Sequence, residues 1–141
     1  MSEEVRSRGL LDTSVLIELY SVGPGRFGGP LPDVAAVSTI TLAELASGPL
    51  SAPTSAEHAR RLDVLLRAQA GFDALPFDTD AARAYARIYA ATLEVGRKPR
   101  GARATDLLIA AVALANDLAV YTCNEADFAH LRDLVDVVAV T

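Results

Sequence analysis

The chain has a single cysteine, Cys123, in 141 residues, so no internal disulfide can brace it. It has only two histidines, His58 and His130. With one thiol they make no Cys/His set of the kind that holds zinc, and any bound metal would need oxygen ligands. No apolar run is long enough to span a bilayer. The N-terminus, Met1-Ser2-Glu3-Glu4, is acidic where a secretory signal carries positive charge ahead of an apolar stretch. A cytoplasmic protein with no membrane partner is expected. Basic charge is scarce as well: 13 Lys and Arg against 18 Asp and Glu give a net charge of −5. That balance opposes a broad basic surface for nucleic acid. The objection weakens if several acids are gathered around divalent cations, which reverse the local charge a phosphate would meet. Internal repeats and low-complexity tracts are absent. What the chain does have is 51% hydrophobic residues, enough to bury the core of one domain over residues 1–141.

Along the chain, short apolar segments alternate with helical patterns. Arg8 to Leu11 reads as a buried strand that ends on Asp12, and Thr13-Ser14 opens a helix through Tyr20. Ser21 to Pro32 holds four glycines and three prolines and reads as a loop. Ala35 to Ile40 is a second strand. It leads into Thr41-Leu42-Ala43-Glu44, the Thr-x-x-Glu pattern of a capping box at a helix start. Thr54 to Ala70 is amphipathic, with Leu62, Leu65 and Leu66 near one face. Phe72 to Phe77 is a strand candidate, and Thr79 to Val95 is a further helix ended by Gly96. Ala104 to Asn116 is apolar almost all round apart from Asp106 near its start, the mark of a helix buried on most sides. Leu118 to Thr122 is a strand, Asn124 to Leu131 a short helix and Val135 to Val140 a last strand.

Strands separated by helices imply a three-layer α/β/α sandwich with a mostly parallel central sheet. Ligands in such sheets bind beyond the carboxyl ends of the strands. Asp12 and Asn124 each follow a strand, Glu44 opens a helix that follows one, and Asp106 opens a helix that precedes one. If the Asp106 helix points its N-terminus to the same edge, these residues meet on one rim. Phosphodiester hydrolysis needs an activated water and a stabilised leaving oxygen, and a divalent metal held by carboxylates supplies both. Two rivals of similar architecture fail on particular residues. A haloacid-dehalogenase-like phosphatase wants Asp-x-Asp after its first strand, and this chain has Asp12-Thr13-Ser14. A response-regulator receiver wants a lysine after a late strand, and the one lysine here is Lys98, in the loop ahead of Asp106.

Four stretches resemble the PIN-domain ribonucleases, and among them the VapC toxins of toxin–antitoxin pairs: Leu11 to Ile17, Thr41 to Leu45, Thr105 to Ala111 and Tyr121 to Phe128. They occur in family order and cover nearly the whole chain. The resemblance implies a PIN-like α/β fold and Mg²⁺- or Mn²⁺-dependent endonucleolytic cleavage of RNA. It also implies inhibition by a cognate VapB-like antitoxin. A homodimer is expected. The implied catalytic set is Asp12, Glu44, Asp106, Asn124 and Asp127, with metal at Asp12 and Asp106. Asn124 stands where many relatives carry an acid, so the fourth position is open between Asn124 and Asp127. The alternative is a non-catalytic or housekeeping PIN-like domain that binds or processes RNA.

Each site residue also has a plainer reading. Asp12 is a good helix cap. The capping box with Thr41 accounts for Glu44 completely. Asp106 gains from the dipole of a first helical turn, although an acid heading so apolar a helix wants a metal or cationic partner. Asn124 and Asp127, three apart, suit the cap of a short helix. Thr13, Ser14 and Thr122 either orient the acids or cap helices. Arg97-Lys98-Pro99-Arg100-Gly101-Ala102-Arg103 puts four cations in seven residues, as a grip on RNA phosphates or as a solvated loop. Gly23 to Gly29 is glycine-rich but lacks the Gly-Lys-Ser/Thr ending of a phosphate-binding loop. Val15, Leu19, Leu62 and Leu66 are either core or a docking face for an amphipathic partner helix. Cys123, His58 and His130 read as structural or solvent-facing.

Overall fold

In the computed structural model, residues 7–141 are described; the acidic start, Met1 to Glu4, lies outside them. Five strands form one parallel sheet in the order β3-β2-β1-β4-β5. They are β1 (Arg8–Leu11), β2 (Val34–Ser38), β3 (Ala74–Leu75), β4 (Ala119–Thr122) and β5 (Val137–Ala139). The helices are α1 (Thr13–Ser21), α2 (Thr39–Ser47), α3 (Ser55–Gly71), α4 (Thr79–Glu94), α5 (Ala102–Ala115) and α6 (Glu125–Phe128). Short 3-10 turns follow α1, α2 and α6. No helix among the described residues is long and apolar enough to cross a membrane.

Successive strand residues point to opposite faces, and this divides the apolar residues between two cores. Leu10, Val120 and Val137 pack with Ile88 of α4 and with Leu107, Ile109 and Val112 of α5. Their neighbours Leu11, Tyr121 and Val138 pack with Val15, Leu16, Leu45, Val64 and Ala68 of α1, α2 and α3. Val15 is fully buried, so of its two readings it is core and gives no docking surface. Leu62 and Leu66 are exposed.

The strand order explains where chemistry belongs. From β1 the chain adds β2 and β3 on one side, then returns to place β4 and β5 on the other. The order therefore reverses at β1, and the crevice beyond the ends of β1 and β4 is the switch point at which open parallel sheets bind ligands. Asp12 follows β1 there, and Thr122 ends β4.

Two helix starts differ from the sequence expectation. Strand β2 stops at Ser38, two residues before Ile40, and Ser38 is the N-cap of α2, its Oγ accepting from the Thr41 backbone N–H at 3.1 Å. Thr41 is thus inside the helix and fully buried, and no capping box joins it to Glu44. Helix α5 begins at Ala102, with Gly101 ahead of it at φ 66°. This places Asp106 in the second turn, beyond the reach of the free N–H groups that favour an acid in the first turn. The strand expected over Phe72 to Phe77 shrinks to Ala74–Leu75.

Candidate active site

Asp12 is the anchor. It is 3% exposed, and burial of a carboxylate is costly unless its oxygens are hydrogen-bonded. Here they are. The Thr13 backbone N–H donates to Oδ1 at 2.8 Å, and the hydroxyls of Ser14 and Thr122 both donate to Oδ2 at 2.9 Å. Asp12 does cap α1, but the two hydroxyl donors go beyond what a cap requires. Burial pushes its pKa above the usual range, the three donors pull it back, and the charge of Asp127 adds to the rise. The Thr122 hydroxyl also accepts from the Asn124 N–H at 2.9 Å, so one side chain ties β4, the turn after it and the acid of β1 together.

Glu44 sits on the second turn of α2. The Thr13 hydroxyl donates to its Oε1 at 2.6 Å and lies 3.0 Å from the Thr41 hydroxyl. A chain of side-chain oxygens thus runs from Ser38 through Thr41 and Thr13 to Glu44, replacing the local cap with a contact across 31 residues. The Glu44 pKa is raised, first by burial and then by the charge of Asp12, with Thr13 opposing. Ser38 is absent from the sequence-derived set. Its signal is a Ser three residues ahead of Thr41, outcompeted by the Thr-x-x-Glu pattern.

Asp106 feels the whole cluster. Burial and then the charges of Asp12, Asp127 and Glu44 push its carboxyl from the ordinary 3.8 up to about 7, and only Arg103 pulls the other way. Asp127, on α6, is half-buried, and its charge bears on both Asp12 and Asp106. Asn124 differs. It occupies the N-cap position of α6, yet its side chain makes no capping bond and the residue is exposed. The structure therefore brings Asp12, Glu44 and Asp127 within electrostatic reach of Asp106 and leaves Asn124 at the edge. His58 and His130 bond to the Pro49 carbonyl and the Thr92 hydroxyl, away from this cluster.

Carboxylates whose charges oppose ionisation of a neighbour, as here at Asp106, are a donor set in need of positive charge. Hard oxygen donors suit Mg²⁺ or Mn²⁺. Among the described residues no three or more His, Cys, Asp or Glu side chains close into a ready-made metal cage. Mg²⁺ is commonly held by one or two carboxylates with water completing its shell, and the pair Asp12 and Asp106 fits that pattern. Beside the cluster, a groove of about 370 Å³ between α1, α2 and α3 is lined by Thr13, Ile17, Glu44, Glu57, Arg61 and Val64.

Comparison with known proteins identifies the family. The model of the PIN domain matches residues 9–134. The chain is 43% identical to Ribonuclease VapC5 of Mycobacterium tuberculosis over 129 residues, covering 92% of this chain and 91% of the relative. To Ribonuclease VapC8 of the same species it is 38% identical over 113 residues, 80% of this chain and 96% of the relative. A chain of the crystal structure of the toxin–antitoxin complex VapBC-5 from M. tuberculosis superposes with a TM-score of 0.80 at 38% identity, covering 95% of this chain and 99% of that one. A chain of DNA-bound VapBC from Salmonella typhimurium gives 0.72 at 26% identity, covering 94% and 97%. The chain therefore belongs to the PIN-domain family, together with the VapC ribonucleases.

Proposed function

We propose that this protein is a divalent-metal-dependent endoribonuclease, the toxin of a type II toxin–antitoxin pair, with Asp12, Glu44, Asp106 and Asp127 as its working acids. The observation that carries the reading is the convergence of carboxylates from separate elements on one rim. It is strong enough to bring Asp106 to about 7, a strain that a bound cation would relieve. The choice of RNA as substrate rests on the ribonuclease relatives.

Asp12 and Asp106 would hold the metal. When bound, it supplies Lewis acidity toward a phosphoryl oxygen and neutralises charge developing on the attacking and leaving oxygens. The rest is done by the chain itself. Ser14, Thr122 and the Thr13 N–H fix both oxygens of Asp12, so the ligand is set in place before substrate arrives. Thr13 fixes one oxygen of Glu44 and leaves the other to take a proton from the attacking water. The raised pKa of Glu44 makes it a better base than an ordinary carboxylate. Asp127 adds negative charge at the same rim, and Asn124 is a contact for substrate at its edge.

The related structures are VapBC complexes, which supports a VapB-like antitoxin as partner. A guanidinium or ammonium from the antitoxin would relieve the same repulsion as metal does. Inhibitor and metal should then compete. The α1–α2–α3 groove, which reaches Glu44 and carries exposed Ile17 on its wall, suits an amphipathic segment of that partner. Self-association as a homodimer belongs to the same reading.

The test is cleavage of labelled RNA by purified protein across a Mg²⁺ and Mn²⁺ series, with Asp12→Asn beside it. Metal-dependent cleavage by the wild type alone is expected. Undiminished cleavage by the variant, with EDTA also without effect, would remove the metal-nuclease reading.

A further inference from the structure

Among the described residues six arginines form ion pairs with Asp or Glu: Arg26, Arg60, Arg61, Arg67, Arg83 and Arg132. None belongs to the connection between α4 and α5. Over that connection and the first turn of α5, Arg97, Lys98, Arg100 and Arg103 lie within seven residues, and among the described residues no carboxylate comes within ion-pair distance of any of them. In a chain with five more acids than bases, four unpaired neighbouring cations are an anomaly of placement.

Their placement is also held. Arg97 Nη1 donates to the Ala126 carbonyl at 3.3 Å, next to Asp127. Arg103 Nη1 donates to the Lys98 carbonyl at 3.2 Å. Each guanidinium has five donors, so both keep most of theirs after fastening the loop. Arg103 precedes Asp106 by three residues on α5, hence on the same helical face. Lys98 and Arg100 are exposed and make no side-chain hydrogen bond among the described residues.

We propose that this connection is a backbone clamp for single-stranded RNA, in which Lys98, Arg100, Arg103 and Arg97 bind phosphates neighbouring the one that is cut. The inference deepens the nuclease reading and rests on it for the identity of the nucleic acid. Arg97 and Arg103 shape the loop and the charge of Arg103 bears on Asp106, while Lys98 and Arg100 are exposed to solvent for the strand. The segment has no aromatic residue on which a base could stack, so the clamp contributes affinity without sequence preference. It also answers the objection raised by the acidic composition. The chain needs no broad basic face, because four of its cations without an ion pair are gathered in one segment next to Asp106.

The experiment uses the full chain. Binding of a fluorescent single-stranded RNA is followed by anisotropy across a KCl series in Mg²⁺, on an Asp106→Asn background that does not cut. Adding Lys98→Ala with Arg100→Ala should weaken binding about tenfold or more. It should also reduce the slope of log affinity against log salt by about 1.4, close to 0.7 for each lost phosphate contact on a single strand. Arg83→Ala, which removes an exposed charge paired with Asp80, should leave both unchanged. In the otherwise native chain, the Lys98/Arg100 double variant should raise KM for RNA and spare kcat. Unchanged affinity and slope overturn the clamp, as does an equal loss with Arg83→Ala. The two readings separate cleanly: native cleavage with an unaffected double variant overturns the clamp alone. RNA binding that depends on Lys98 and Arg100, in a native chain that never cuts, supports the clamp and overturns the nuclease.

Discussion

Replacing Asp106 by Asn should stabilise the metal-free protein while abolishing its activity. A carboxyl moved from 3.8 to about 7 carries a penalty of ~4 kcal/mol as an anion if fully shielded from water. Asp106 is only half-buried, and solvent screening reduces this to ~1–2 kcal/mol. The sign follows from proton uptake. With its folded pKa above the unfolded one, the native state holds a proton that the unfolded chain has released. The wild type therefore loses stability as pH rises from about 4 to about 7 and levels off above. The amide side chain of the variant carries no charge to penalise. Thermal unfolding in EDTA at pH 8 should thus show the variant ~3–6 °C above the wild type, and the gap should close toward pH ~4.5. Excess Mg²⁺ should raise the wild type far more than the variant, because only the native acid pair gains from binding. A variant no more stable than wild type at pH 8, or a gap independent of pH, would refute the claim that the cluster is under electrostatic strain.

Glu44→Gln preserves the hydrogen bond from Thr13, since the amide oxygen can accept it. If Glu44 takes the proton from water, RNA cleavage should fall by ~10²-fold or more with stability unchanged or raised; a Gln variant that cleaves normally at saturating metal would return Glu44 to a structural role. Gly9→Ala tests the switch point from the fold side: a methyl there would overlap the Tyr121 ring on β4 and press on Pro32. Urea unfolding should show a loss of ~1–3 kcal/mol from this overpacking, and an unaltered midpoint would mean that β1 and β4 are less tightly fitted than the structure shows.

The parts of the site that could be read from the sequence are those set by local order. Leu10-Leu11-Asp12 followed by Thr13-Ser14 is strand, acid and helix in five residues, and the structure has that order. The apolar run after Asp106 announces a buried helix, and α5 is one. The misreadings come from local patterns overruled at a distance. Thr41-x-x-Glu44 is a good capping box, but β2 ends at Ser38 and the buried Thr41 hydroxyl is turned toward Thr13 of another helix. The start of α5 is hidden by the basic run, which reads as loop by charge although Ala102 and Arg103 are good helix formers. That shift of two residues moves Asp106 out of the first turn. Nothing in the linear order tells Asn124 from Asp127; the distinction arises in the fold, where the charge of Asp127 bears on Asp12 and Asp106.

The hydrogen bond from Thr122 to Asp12 spans 110 residues, and β4 also lies directly against β1. The first acid of the site is therefore completed by a residue far along the chain. During synthesis, a ribosome-bound fragment that ends before β4 contains Asp12, Glu44 and Asp106 and the Thr13 and Ser14 donors to Asp12, but lacks the Thr122 hydroxyl and the strand that pairs with β1. Such a fragment should neither cut RNA nor resist proteolysis around β1. For a ribonuclease, this topology withholds the complete site until β4 has been made.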